Sequence, residues 1–407
     1  MKIIFTLICL SFSYLILGQR CATAEYLNSH PVNKSYALRG QSVSGANRDT
    51  LNNEVIIIPV IVHVLYNTSE QNISDEQIIS QIISLNKDYR RLNADTINTP
   101  GAFKSVAADT RIQFCLAKID PQGNYTSGII RKYTKTQQFL TDDAMKFSSK
   151  GGDDSWDATR YLNIWVCNLF GRTLGYGVLP GSPYDRDGVV IKYNAFGTTG
   201  KLTEPYTKGR TATHEIGHWL GLKHLWGDST CGDDGIADTP PQETSNTYCP
   251  GFPHLSSCSI NSNGDMFMNF MDFTDDACMN LFTQGQKSAM RSLFAAGGPR
   301  NSMLNSNVCD GSQVEGGPVA EDSADDIKIS TYPNPFNNSV TVTSSNASKV
   351  IGRSLKVYSA TGKLIISQII QSQTTTVNTG NWPSGIYIFH IESEDGNFVY
   401  KMVKQGN

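Results

Sequence analysis

The chain has no long hydrophobic run beyond its first eighteen residues, no basic cluster and little net charge. Each absence excludes something. Without a further stretch of about 18 apolar residues there is no candidate membrane span, and the mature protein is expected to be soluble. A formal net charge of −3, with a pI near 6.2, offers no electrostatic footprint for a nucleic acid. Hydrophobic content of 39% and charged content of 17% place the 407 residues among ordinary folded proteins, long enough for two or three domains. The 35 glycines argue for many turns rather than a helical bundle.

What is present begins with the compartment. Lys2 precedes an apolar stretch from Ile3 to Leu17 that closes on Gly18, the pattern of a secretory signal over residues 1–18. Removing Cys9 with that signal leaves Cys21, Cys115, Cys167, Cys231, Cys249, Cys258, Cys278 and Cys309. An even cysteine set in an exported chain argues for disulfides, whose pairing spacing alone does not determine.

Composition divides the remainder. Residues 19–52 are polar and aperiodic and read as a pro-segment or flexible arm. The β-branched run Ile56–Tyr66 reads as a buried strand, and Ser74 caps a helix expected to reach about Leu92. Strands at Ile112–Ile119, Tyr161–Val166 and Gly188–Tyr193, with helices at Thr211–Leu222 and Thr283–Phe294, predict a mixed sheet backed by helices. That is an α/β or α+β domain over residues 53–309. Residues 310–327 read as a linker. Residues 328–407 carry six short alternating strands separated by turn signals, which predict a small antiparallel all-β sandwich.

One stretch carries chemistry: His214-Glu215-Ile216-Gly217-His218-Trp219-Leu220-Gly221-Leu222-Lys223-His224. On a helix, His214 and His218 leave the same face one turn apart. Two imidazoles suit Zn²⁺, and Gly221 lets the chain turn so that His224 adds a third. Three protein ligands leave a position open for water, which makes the site catalytic rather than structural, with Glu215 as general base.

This stretch matches the metzincin signature HExxHxxGxxH. The resemblance implies a methionine turn beneath the metal, and Asn269-Phe270-Met271-Asp272-Phe273 supplies one with Met271. HEIGHWLGLKHLWG, CGDDGIADTP and MNFMDFTDDACMNLFTQGQ, with PVIVHVLYN at 59–67 and DGVVI at 187–191, resemble the pappalysin family over roughly residues 53–309, closest to its bacterial gelatin-degrading members. The resemblance implies disulfides Cys231–Cys258 and Cys249–Cys278, leaving Cys115, Cys167 and Cys309 unassigned. It also implies a structural Ca²⁺ in the loop of Asp233, Asp234, Asp238 and Thr239, beside the catalytic Zn²⁺. It implies cleavage of protein or peptide substrates before arginine, then lysine, at P1′, chosen by a carboxylate matching Asp276; Asp275 is the alternative.

Phe273 departs from the family, which commonly has a tyrosine there to donate to the oxyanion. The segment Gln19-Arg20-Cys21-Ala22-Thr23 resembles the cysteine switch of some relatives, with a Cys21 thiolate as fourth zinc ligand; a disulfide is the alternative. Activation would then follow cleavage in the 30–52 region, with Arg39 and Arg48 as self-cleavage candidates. YPNPF at 332–336, LKVYSATGKLI at 355–365 and WPSGIYIFHI at 382–391 resemble the type A sorting domain of the Bacteroidetes type IX secretion system, which implies the export machinery as a partner. The chain is therefore expected to be secreted, extracellular or held at the cell surface. The competing functions are a secreted adhesin on an inert protease scaffold, or a processing protease of narrow specificity.

Overall fold

The computed structural model describes residues 20–31, 54–259, 263–310, 329–344, 347, 349–393 and 396–405. The expected signal over 1–18, the candidate cleavage sites Arg39 and Arg48, and nearly all of the expected linker lie outside these residues. The chain divides into two compact units, Met1–Pro318 and Val319–Asn407. Among the described residues no helix is long and apolar enough to cross a membrane.

The first unit is built on a mixed six-stranded sheet. Its centre is β1 (Ile56–Tyr66), a nearly continuous apolar run buried along almost its whole length. Both faces are covered, so the strand carries no polar alternation. Along one edge β1 pairs in parallel with β2 (Ile112–Leu116) and then β3 (Ile129–Tyr133); along the other it pairs with β4 (Leu162–Cys167). The sheet continues through β6 (Val189–Lys192) to β5 (Gly175–Gly177), which is antiparallel and forms the edge. Neither β3 nor β5 was legible in the sequence. β3 is half exposed, and β5 is a three-residue Gly-Tyr-Gly stretch without a periodic signal.

Three helices matter for the site. A first, α1 (Thr23–Ser29), lies within the stretch read from sequence as a flexible arm, and its Tyr26 is buried. The second, α2 (Asp75–Tyr89), is capped by the Ser74 hydroxyl accepting from Gln77 N at 3.2 Å. It ends three residues before Leu92, where Arg90 closes the last turn and Arg91 takes a positive φ of 51°. The third, α3 (Arg210–Trp219), carries the histidines and is buried at every residue. A fourth, α4 (Gln284–Ser292), starts on a capping box between Thr283 and Gln286.

Three disulfides staple this unit: Cys115–Cys309, Cys231–Cys258 and Cys249–Cys278. Cys21 and Cys167 are free and buried, so the alternative that placed Cys21 in a disulfide does not hold.

The second unit is all-β and antiparallel. One sheet runs β10 (Leu364–Ile369), β9 (Ser354–Ser359), β12 (Gly385–Ser393), β13 (Gly396–Lys404); the other runs β11 (Thr374–Asn378), β8 (Ser339–Ser344), β7 (Ile329–Tyr332). Period-two alternation puts Val340, Val342, Leu355, Val357, Phe389 and Ile391 in a shared core. β7, only four residues long, precedes the six strands expected from sequence.

Candidate metal centre and its occluded cleft

The geometry of the histidines follows from how α3 ends. Gly221 has φ +86°, a left-handed conformation open to glycine at little cost, and Leu222 N bonds back to Gly217 O at 3.0 Å. The chain thereby drops beneath the helix and returns His224 to the face that carries His214 and His218. The three Nε2 atoms lie 3.0, 3.1 and 3.3 Å from one another. Ligands at about 2.05 Å from one tetrahedral zinc stand roughly 3.3 Å apart, so the spacing matches a shared cation.

The outer nitrogens settle the tautomers. His214 Nδ1 faces Phe270 O at 2.7 Å, His218 Nδ1 faces Leu222 O at 2.8 Å, and His224 Nδ1 meets the Asp228 carboxylate. Carbonyl and carboxylate oxygens only accept, so each Nδ1 holds the proton and each Nε2 lone pair points at the common centre. Burial, and then repulsion from the other imidazoles, keeps His214 well below the ordinary histidine range; the same causes lower His218 to about 3. His214 and His218 are thus held in the neutral form that binds a metal. Among the described residues, one group of three or more potential metal-binding side chains converges, and it adds the Cys21 thiol to the three histidines, with all ligand atoms within 4.8 Å.

Beneath the histidines lies Met271, fully buried, with its N–H held by Asn269 Oδ1 at 3.0 Å. Its sulfur approaches α3 so closely that a Cβ on Gly217 would sit 2.4 Å from it, which explains a glycine in mid-helix. Phe273 faces His224 and Trp226 at ring distances of 4.8 and 5.0 Å, with Trp226 stacked flat on His224. An aromatic wall therefore stands at the position where the family commonly offers a hydroxyl.

Glu215 is fully buried, and burial pushes its carboxyl up to about 8. Oε2 accepts from Thr23 Oγ1 at 3.1 Å and from Cys21 Sγ at 3.3 Å, while Oε1 has no hydrogen-bond partner. The segment 20–23 thus covers both the histidines and the carboxylate. It lies against the sheet edge in parallel with β5, with Ala22 N donating to Gly175 O at 3.0 Å and Leu174 N to Arg20 O at 3.1 Å.

Arg20 fills the adjoining pocket. Its guanidinium donates to Asp276 Oδ1 at 2.6 Å and to Thr274 O, and lies 5.2 Å over the Tyr206 ring. Asp276 Oδ2 is held by Lys208 N at 2.9 Å and Arg210 N at 3.2 Å, at the start of α3. Asp276 is 1% exposed and ion-paired with Arg20, whereas Asp275 is only partly buried. Of the two sequence candidates, Asp276 is the one at the floor of an arginine pocket.

The loop expected to bind calcium uses its carboxylates on protein donors. Asp234 accepts from Ile236 N and Thr239 Oγ1, whereas Asp238 caps α4 through Thr283 Oγ1 and Gly285 N. Asp233 accepts from Gly235 N. Sequence reading placed Arg20 and Thr23 in the cysteine-switch segment without giving either a partner, and it missed Asp228 and the β5 edge as parts of the site. The arginine next to Cys21 was a usable signal, since a buried carboxylate such as Asp276 needs a cation and an arginine of the chain itself can supply one.

Fold and site together define a metzincin-type metallopeptidase centre. The family model described as pregnancy-associated plasma protein-A matches residues 147–295, and the secretion system C-terminal sorting domain matches residues 330–405. An extracellular metalloprotease of Arthroderma otae is 31% identical over 253 residues, covering 59% of this chain and 78% of that protein. One of Podospora anserina is 37% identical over 142 residues, 33% of this chain and 47% of that protein; the match spans about half the length of the first such relatives.

Among solved structures, Tannerella forsythia mature mirolysin in complex with a cleaved peptide is 54% identical, with TM-score 0.61, covering 62% of this chain and 96% of that one. A mutant of T. forsythia promirolysin is 48% identical, with TM-score 0.66, covering 70% and 97%. The chain belongs to the pappalysin family of metalloproteases and ends in a sorting domain of the secretion-system type.

Proposed function

We propose that this chain is an exported, zinc-dependent endopeptidase, made as a latent precursor, that cuts proteins before arginine and less readily before lysine. The observation that carries the reading is the segment 20–23. It sets Arg20 against Asp276 and Cys21 against His214, His218 and His224 at the same time, and so occupies a specificity pocket and a metal centre together. The C-terminal unit directs export, and the product is extracellular or held at the cell surface.

His214, His218 and His224 hold zinc, which when bound supplies Lewis-acid polarisation of the scissile carbonyl and of the attacking water. Glu215 takes the water proton on its free Oε1 and passes it to the leaving amine; its raised affinity for protons suits that exchange near neutral pH. Asp276 receives the guanidinium of the residue after the scissile bond, where a planar bidentate donor gains more than an ammonium. Phe273 offers the oxyanion no donor. Cys21, whose thiol converges with the three histidines, would be a further ligand to the zinc until the segment is cut away.

Calcium in the loop of Asp233, Asp234, Asp238 and Thr239 is part of the same proposal. Its support is the Asp234 carboxyl, pushed up to about 7 by burial, which a cation would relieve. A calcium-dependent rise in melting temperature at fixed zinc is the expected result.

The function is tested by digesting casein or gelatin with and without a chelator and mapping the cuts. Zinc-dependent cleavage before arginine in many substrates supports the proposal. Bound zinc without turnover would instead support an inert scaffold, and cleavage of a single partner a narrow processing protease. Latency has its own test: Cys21→Ala should weaken it, and a precursor equally latent after that change would remove the cysteine from the mechanism.

A further inference from the structure

The latent segment fills a third pocket that neither zinc chemistry nor arginine selection uses. Tyr26 of α1 is 2% exposed, and its hydroxyl donates to Asp143 Oδ2 at 2.6 Å. Its ring stacks on Tyr176 at 5.0 Å and lies 5.4 Å from Lys146 Nζ. Tyr176 is the middle residue of β5. Its neighbour Gly175 faces Glu215 so closely that a Cβ there would sit 2.9 Å from the Glu215 side chain. Successive strand residues point to opposite faces, so the Tyr26 pocket lies across the edge strand from the catalytic carboxylate. The latent segment reaches both, bridging to Gly175 at Cys21 and then turning into α1 to bring in Tyr26.

The pocket is held in shape without Tyr26. Asp143 Oδ1 is ion-paired to Lys146 Nζ at 2.9 Å and accepts from Tyr176 Oη at 3.0 Å. Lys146 Nζ is tied in turn to Arg186 O at 2.8 Å. Asp143 itself has a φ of +62°, uncommon for a residue other than glycine, and such backbone persists only where its surroundings hold it. Burial would raise its carboxyl, but Lys146 and the hydroxyls of Tyr26 and Tyr176 outweigh burial and hold it below the ordinary range. Without Tyr26, Oδ2 of this ionised carboxylate has only the Arg186 guanidinium, 3.8 Å away. The cavity therefore presents an aromatic floor, a cation over the ring position and an acceptor lacking a close donor at its end.

We propose that this pocket is a second specificity subsite, which takes the side chain of a tyrosine in a bound peptide substrate once the latent segment has left. The proposal rests on the reading of residues 20–31 as a removable segment. Phenylalanine would fill the same space but leave the Asp143 carboxylate without its donor, so the hydroxyl is the discriminating group. A hydrogen bond to a charged partner accounts for roughly a tenfold or larger preference.

The test uses processed enzyme and a peptide series with arginine fixed after the scissile bond, scanning Ala, Phe and Tyr through the flanking positions. Cleavage of the all-Ala peptide shows that the segment has left, so failure of the latency reading registers separately as an inactive enzyme. At one position Tyr should raise kcat/KM about tenfold or more over Phe. No position with Tyr ahead of Phe by even twofold would overturn the subsite.

A second measurement avoids substrate turnover. Synthetic peptide 20–31 should inhibit processed enzyme about tenfold more tightly than its Tyr26→Phe counterpart, and equal inhibition would again overturn the proposal.

Discussion

The two units bury different things. The core of the second unit, from Ile329 to Met402, is apolar, and the buried polar residues among its described positions are Ser344, Thr379 and Lys404. The first unit buries Glu215, four histidines (His63, His214, His218 and His224), Asp276 with Arg20, Asp143 with Lys146, and Asp88 with Arg210. All three disulfides lie in the first unit. Buried charges cost desolvation that their pairing only partly returns, so a catalytic interior draws stability from elsewhere, and cross-links are one source. The apolar core of the β-sandwich needs no such compensation.

The largest effect is expected at the buried carboxylate of the first unit. Glu215→Gln should lower kcat by about 10²–10⁴-fold while zinc remains bound, read by turnover and metal analysis of the same sample. Loss of zinc with loss of turnover would mean that Glu215 holds the site together rather than acting in it.

Removing Cys115–Cys309 by paired Ser substitution opens a closure of 194 residues between β2 and the end of the first unit. It should cost about 2–5 kcal/mol in that unit's unfolding midpoint and leave the other transition in place. Leu355→Ala is the mirror experiment. It empties a fully buried site in the second unit and should cost about 2–4 kcal/mol there, with zinc-dependent activity unchanged. A shift of both transitions by either change would contradict the separation of their cores.

Phe273→Tyr asks whether the aromatic wall beside the histidines costs catalysis. It should raise kcat, by at most about 10²-fold, with little change in stability; unchanged or lower turnover would count against the missing-donor reading.

A pH dependence is expected at Asp88, whose carboxyl burial pushes up to about 7 from an ordinary 3.8, partly offset by Arg210 and Thr213. Between those values the folded state keeps a proton that the unfolded state has shed. Stability contributed by this group is therefore lost as pH rises through the window, by up to about 1.4 kcal/mol per pH unit. Asp88→Asn should flatten the slope, measured by urea midpoints at pH 5 and 7.

Much of the molecule was readable in one dimension because its signals are local. The three histidines, Glu215 and Gly221 lie within eleven residues, and helical spacing plus one left-handed turn suffices to converge them. The strands of the second unit alternate with a period of two, and α2 and α4 carry their own caps. By contrast β5 has no propensity signal; it exists because β6 offers it a partner, and it matters because it forms the edge against which residues 20–23 lie.

Residue types and spacing alone brought the three histidines and Glu215 together on one turn of chain. Only the tertiary structure decided that Arg20 meets Asp276 across 256 positions, that Asp276 rather than Asp275 receives it, and that Tyr26 closes on Asp143. The physical reason is range. A helix or strand pattern is set by neighbours within a few residues, whereas a salt bridge between distant segments is specified by the packed surface that brings them together.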